Sequence, residues 1–272
     1  MQLQTFIYER YWPTIKPTLS PKWQQHTEHL FKLIVGRLGE FDVSDIPLEY
    51  VDGWWSYLQT LYETPVTPNK ALVRAKHIMK VAIRWKLAPS NPFLDIRKLK
   101  EPERKFTPIS DVVHETLFND ASPRLQWYLV FARYTGARLS SLAKLERRDI
   151  NLERNTVTFR RTKNGEDYTI PLHPKLRPWC ERQSGQTPTT PLLPQYADPH
   201  AVSQLFRRLK KRHGVEGFRF HDFRHNVGTK LAEAGLDVKG RMQLLGHKDS
   251  RMAMRYTHIA EDVLGKAMEA AL

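Results

Sequence analysis

"RRDINLERNTVTFRRTKNGEDYTIPL", residues 147–172, reads as extended chain in a sequence that otherwise reads as helix. Thr156, Val157, Thr158 and Phe159 alternate polar and apolar with a period of two, and Tyr168, Thr169 and Ile170 do the same. Between the two runs, Asn164-Gly165 is a strong hairpin signal, because the favoured two-residue turn needs positive φ at both positions. The stretch therefore predicts a β-hairpin with Lys163 beside its turn.

Outward from this hairpin the apolar spacing changes to that of helices. Upstream, "PKWQQHTEHLFKLIVGRLG" places Trp23, His26, Leu30, Leu33 and Ile34 at helical intervals, and Gly36 and Gly39 mark its end. "SDIPLEYVDGWWSYLQTLY" reads as a second helix with Ser44 or Asp45 as N-cap. "TPNKALVRAKHIMKVAIRWKLAPSNP" reads as a third, closed by Pro89 and Pro92. Helices are expected near 109–119 and 122–135, and again near 174–183, 198–213, 222–234, 237–245 and 250–257. The fold class expected is mainly α with a small antiparallel β-sheet. Residues 97–108, "RKLKEPERKFTP", are charged, contain proline and lack periodicity, which makes them the linker between two domains.

The 272 residues carry a net charge of +14, so the preferred partner is a polyanion: nucleic acid first, an anionic membrane second. Both halves share the charge. Residues 1–100 hold 14 Lys/Arg against 9 Asp/Glu, and residues 101–272 hold 29 against 20. One cysteine, Cys180, excludes an intrachain disulfide and a cysteine-rich zinc site, which suits a reducing compartment. No secretory signal and no apolar run of membrane-spanning length is legible, so a cytoplasmic protein, nucleoid-associated if bacterial, is expected. On the third helix Lys70, Arg74, His77, Lys80 and Arg84 fall on one arc, away from Leu72, Ala75, Ile78, Met79 and Ala82. A basic stripe opposite an apolar one suits a helix lying along DNA phosphates. "LFRRLKKRH" offers Arg207, Arg208, Lys211 and Arg212 for the same purpose.

Chemistry on a phosphodiester makes further demands. Negative charge grows at phosphorus in the transition state, and stabilising it without metal takes several fixed cations. Arginine suits this because its planar fork holds two oxygens and stays charged. A nucleophile and a proton donor complete the set. "YTGARLSSLAKL" supplies Arg138 after a Thr-Gly turn, "TKNGED" supplies Lys163, and "FRFHDFRHNVGTKLAEAG" supplies His221 and Arg224 three apart. "LLGHKDSRMAMRYTH", residues 244–258, supplies His247 and, nine residues later, Tyr256.

In this order the boxes resemble those of the tyrosine recombinases, the phage integrase family, over residues of roughly 20–258. "HDFRH" resembles the family's His-Asp-Leu-Arg-His box, and the last stretch resembles its final box. The resemblance implies a helical core-type DNA-binding domain over 1–96, a linker over 97–108, an α+β catalytic domain over 109–258 and a tail helix over 259–272. It implies that Arg138 and Arg224 bind the non-bridging oxygens of the scissile phosphate, with a hydrogen bond added by His247. His221 would assist as general base or acid, Lys163 would protonate the leaving 5′-oxygen, and Tyr256 would attack phosphorus to form a 3′-phosphotyrosyl link. No cofactor, metal or ATP is called for. The partners implied are double-stranded DNA, a homotetramer assembled on two DNA sites from protomers monomeric or weakly associated when free, and accessory DNA-bending factors; no membrane partner is expected. The tail, with Val263, Leu264, Ala267, Met268 and Ala271 on one face, would dock on a neighbouring protomer. The two basic halves would clamp duplex DNA, and the short N-terminus resembles the two-domain members.

The family usually places an acid three residues after the first arginine, and here Ser141 stands there; Glu146 and Asp149 are the candidates to replace it. The alternatives are a type IB topoisomerase, in which lysine typically stands at the position of His221, and a catalytically silent DNA-binding regulator, favoured only by Ser141.

Overall fold

The computed structural model describes residues 1–102, 108–160, 165–196 and 199–246. The chain divides into two compact units, Met1–Arg104 and Lys105–Leu272.

The first unit is helical. It begins with α1 (Leu3–Thr5), a π-helical turn (Phe6–Tyr11), α2 (Trp12–Ile15) and a 3-10 turn (Lys16–Thr18). Then come α3 (Pro21–Leu38), α4 (Leu48–Leu61) and α5 (Val66–Arg84). Each long helix buries one stripe: Leu30, Phe31, Ile34 and Leu38 from α3, Val51, Trp54 and Leu58 from α4, and Leu72, Ala75, Ile78, Met79 and Ala82 from α5. The N-terminal segment, which the periodicity did not single out, seals this core with Leu3, Phe6, Ile7 and Tyr11, all nearly inaccessible. The expected cap of α4 moves. Pro47 is the N-cap, while Ser44 is drawn away by Asp42, whose Oδ1 accepts from the Ser44 backbone at 2.8 Å and hydroxyl at 2.6 Å. Within the stretch read as a linker, buried Asn69 exchanges two hydrogen bonds with the Leu99 backbone, each 2.9 Å. Residues up to Glu101 therefore lie along α5, where the Asn69 amide also reaches the Glu101 carboxylate at 3.0 Å.

The second unit contains α6 (Asp111–Asn119), α7 (Pro123–Thr135), α8 (Leu139–Leu142), β1 (Ile150–Asn151), β2 (Thr156–Phe159) and β3 (Tyr168–Pro171). After these come α9 (Arg177–Glu181), α10 (His200–Arg212), α11 (Asp222–Glu233) and α12 (Val238–Leu245). Helix α7 is apolar nearly all round and forms the hub, as a helix packed on several sides must. Ser122 caps it, its hydroxyl accepting from the Leu125 N–H. The sheet is antiparallel in the order β1-β2-β3, with Val157 opposite Ile170 and Phe159 opposite Tyr168. Val157, Phe159 and Ile170 face the core, and the Thr158 and Thr169 hydroxyls meet at 2.9 Å on the outer face. Gly165, in the connection between β2 and β3, has φ +79°, while Asn164 lies outside the described residues. The fold is mainly α with a small antiparallel sheet, as the alternation implied. No described helix is long and apolar enough to cross a membrane.

Candidate active site

The site grows from two glycine turns. Helix α7 ends at Gly136, whose φ of +61° lets the chain reverse in the left-handed conformation. Thr135 sets up the reversal: its hydroxyl donates to Phe131 O at 2.6 Å and accepts from Ala137 N at 3.1 Å. A Cβ on Gly136 would lie 2.8 Å from Leu245 Cδ2 and 3.1 Å from Val227. The turn is thus pressed against α11 and the end of α12. Two residues on, Arg138 is the extended N-cap of α8 and half-buried. Helix α12 ends the same way, at Gly246 with φ +61°, where a Cβ would meet the Tyr168 ring at 2.7 Å.

Helix α11 joins these turns. Buried Asp222 accepts from the Arg219 N–H at 2.5 Å, and Phe223 packs among Phe206, Phe218 and Phe220. With these two residues turned inward, Arg224 lies beneath the turns at 3% exposure. Its Nη1 donates to Gly136 O at 3.0 Å, and its Nη2 donates to Leu245 O. One guanidinium therefore bridges the Thr-Gly turn and the Leu-Gly-His box. A buried charge is tolerated only when hydrogen-bonded, and these carbonyls satisfy it.

His221, the N-cap of α11, lies on the accessible side of the same turn. Crowding by the surrounding protein, and then the His225 and Arg224 charges, hold its imidazole down to about 4; Arg138 adds to this and Asp222 opposes it. The ring is consequently neutral near pH 7 and a weaker base than an ordinary imidazole. Burial raises the Tyr168 phenol, while the Arg224 and Arg138 cations pull it the other way.

The structure brings together Arg138, His221 and Arg224 of the six residues chosen from sequence; Lys163, His247 and Tyr256 lie outside the described residues, as does the tail. The acids proposed to replace the one missing at Ser141 are engaged elsewhere. Glu146 pairs with Arg148 and Asp149 with Arg160, each at 2.6 Å. Among the described residues Arg138 makes no ion pair. Buried Ser141 instead donates its backbone N–H to Arg138 O at 2.8 Å.

Beside His221 opens a cavity of about 510 Å³ lined by Arg207, Lys210, Arg219, Phe206 and Phe220. Sequence reasoning identified Arg207 but missed Lys210 and Arg219, because neither stands in a recognisable box. Arg208 and Lys211 are exposed on α10, and Arg212 reaches Asp120 at 3.0 Å. On α5, Lys70, His77, Lys80 and Arg84 are exposed and Arg74 is half-buried. His77 is pushed below its ordinary value by partial burial and then by Arg74, Lys80 and Arg84, so the arc forms one cationic field.

The model of the phage integrase family matches residues 108–262. A Mycobacterium tuberculosis chain named for the prophage phiRv2 integrase is 25% identical over 253 residues, covering 84% of this chain and 67% of that one. Tyrosine recombinase XerA of Pyrococcus furiosus is 30% identical over 146 residues, covering 50% of this chain and 51% of the relative. The fold is similar to that of a Tn1549 transposon integrase solved with circular intermediate DNA, with a TM-score of 0.78 at 19% identity over 98% of this chain and 99% of that one. It is equally similar to lambda integrase solved as a tetramer on a Holliday junction, with a TM-score of 0.78 at 17% identity over 92% and 78%. The family match spans more than half the chain and contains the whole Arg138–His221–Arg224 constellation, so the chain belongs to the phage integrase family, the tyrosine recombinases.

Proposed function

We propose that the chain is a site-specific DNA recombinase that cuts and rejoins duplex DNA through a covalent 3′-phosphotyrosyl link. The observation that carries the reading is the buried Arg224 fork, fixed to Gly136 O and Leu245 O beside His221. An arginine immobilised in advance is what stabilises charge that develops only in the transition state. Arg138 and Arg224 bind the non-bridging oxygens, and His247 adds a hydrogen bond. The Tyr256 oxygen attacks phosphorus as His221 takes its proton. The bond from phosphorus to the 5′-oxygen breaks, and Lys163 protonates the departing oxygen. Rejoining is the reverse, with a 5′-hydroxyl attacking the phosphotyrosine, so the bond energy is retained throughout.

In this reading residues 1–96 form a core-type DNA-binding domain that presents Lys70, Arg74, His77, Lys80 and Arg84 to phosphates. Residues 97–108 link it to the catalytic domain over 109–258, where Arg207, Arg208, Lys211 and Arg212 add backbone contacts. Such contacts set register without reading sequence. Four protomers assemble on two DNA sites, helped by accessory DNA-bending factors, with the tail at 259–272 docking on a neighbouring protomer. The work is done in the cytoplasm, on the DNA kept there.

Covalent capture tests this. The full chain is incubated with fragmented DNA from its source, denatured, and the protein-linked fragments are sequenced. Adducts should focus on one site or a few related sites, and Tyr256→Phe should form none while still binding DNA. Adducts scattered without sequence preference, or undiminished in Tyr256→Phe, would overturn the assignment.

A further inference from the structure

A cavity of about 410 Å³ in the first unit is lined by Trp23, Val73, Lys70, Arg74, Lys98 and Glu101, among others. Two of these side chains are out of place on a basic face. The apolar spacing of α3 assigns Trp23 to the core stripe, yet it is 48% exposed. Its ring stands edge-on to His26, with centroids 5.3 Å apart. Val73 is 47% exposed. On a 3.6-residue wheel it falls inside the basic arc of α5, between Lys80 and Arg84. Leu94 and Val112 are more exposed still, and lone exposed apolar residues need no explanation. What sets Trp23 and Val73 apart is that they line one cavity and share it with three cations.

The occupant must suit both the charge and the wall. Lys70, Arg74 and Lys98 favour a polyanion around the cavity. Inside it, Glu101 disfavours a phosphate, since its carboxylate, which accepts from the Asn69 amide at 3.0 Å, belongs to the same lining. An uncharged, partly apolar group on a polyanion meets both conditions. Duplex DNA offers one at its groove edges, the 5-methyl group of thymine, and apolar side chains are what pack against it.

We propose that Trp23 and Val73 are a base-reading surface of the first unit, taking a thymine methyl group while Lys70, Arg74 and Lys98 hold the flanking phosphates. The inference rests on the DNA-binding part of the recombinase reading and adds to it side chains that choose a sequence. Exposed cations attract every duplex alike. Contact between a methyl group and an apolar wall is gained only where thymine stands.

The test uses binding and does not depend on cleavage. The full chain selects duplexes from a random library, and the enriched duplex is then remade with each thymine in turn replaced by deoxyuridine, which lacks only the methyl group. At one or two positions the replacement should weaken wild-type binding about threefold to fivefold, the scale of burying one such group. Trp23→Ala and Val73→Ser should bind the thymine duplex more weakly by a similar factor and should no longer distinguish thymine from uracil there. Their salt slope should match wild type, because no charge is lost. Lys70→Ala should do the opposite, lowering the slope by about 0.9 while keeping the preference. Serine forms helix about as well as valine, so Val73→Ser decides alone if Trp23→Ala does not fold. A wild-type chain indifferent to every replacement, a library from which nothing is enriched, or variants that keep the full preference would each overturn the base-reading role. Adducts that still focus on one site would leave the recombinase reading standing in all three cases, whereas a chain that binds no duplex ends both.

Discussion

Two sets of cations in this chain solve opposite problems. On α5, Lys70, Lys80 and Arg84 stand in solvent on one helical arc, above a face packed into the core. In the second unit Arg224 is buried at 3% exposure and its fork is held by two named carbonyls. In the proposed reading the exposed set works by number: each charge is hydrated and replaceable. The buried arginine works by geometry. It cannot lose its proton, so the fold has to supply acceptors before substrate arrives. Lysine for arginine should therefore be nearly silent in one region and severe in the other.

The largest effect expected is at Arg224. Arg224→Ala leaves Gly136 O and Leu245 O without their Arg224 donor and, in the proposed recombinase reading, removes a phosphate ligand. Cleavage should fall at least about 10²-fold, on the scale of one lost donor to a developing oxyanion. Stability should fall by about 2–4 kcal/mol from the two abandoned acceptors. Arg224→Lys keeps the charge but cannot span both carbonyls, so cleavage should fall nearly as far, whereas Arg84→Lys should cleave like wild type. Single-turnover cleavage with urea melts checks all three. If Arg224→Lys is as active as wild type, geometry is not what distinguishes the two regions.

His114 shows what burial does to a cation that can lose its proton. It is 7% exposed, its Nε2 has no partner, and its imidazole is pushed down to about 4. Burial is the main cause; Arg133 and Lys230 add to it, and Asp111 opposes them. Above pH about 6.5 the ring is neutral whether the chain is folded or not. As pH falls from about 6.5 towards 4 the unfolded chain takes up the proton first, and stability is lost. The loss approaches about 3 kcal/mol at the acid end, because each tenfold difference in proton affinity is worth about 1.4 kcal/mol. His114→Phe removes the titration, so its urea midpoint should fall less than wild type's between pH 7.5 and 4.5. Parallel declines in the two proteins would place the acid sensitivity elsewhere.

Legibility in the sequence followed the same division. Elements whose pattern is local could be read from it: α3 and α5 from apolar spacing, the hairpin from alternation and Asn164-Gly165, and the order of Arg138, His221 and Arg224 from their boxes. What depends on a partner far along the chain could not. Leu3, Phe6, Ile7 and Tyr11 are spaced for a helix, but Pro13 and Pro17 follow closely, and only packing against α3 and α5 gives the segment its place. Glu146 and Asp149 were reasonable stand-ins for a missing acid until Arg148 and Arg160 were seen to hold them. Tyr168 looked like any strand aromatic, because Gly246, which approaches its ring, lies more than seventy residues further on.

The smallest effects belong to the α5 face, and they distinguish number from geometry within it. Each exposed cation that contacts a phosphate should contribute about 0.9 to the slope of log K against log salt. Lys80→Ala and Arg84→Ala should each lower that slope by about this amount and weaken binding to all duplexes alike. Arg74 differs from them. Its Nη1 donates to the Tyr11 hydroxyl at 3.1 Å, and the same hydroxyl meets His77 Nδ1 at 2.6 Å. The fold thus holds one member of the solvated set part-way towards the condition of Arg224. Tyr11→Phe keeps the buried ring and the net charge but releases this tether. If orientation matters on α5, binding should weaken by about twofold to threefold with the salt slope unchanged, because the charge is still present and only its placement has loosened. Titrations of one duplex at several salt concentrations separate the outcomes. A fallen slope would mean that a phosphate contact depends wholly on the tether, and identical curves would mean that the α5 face acts by charge number alone.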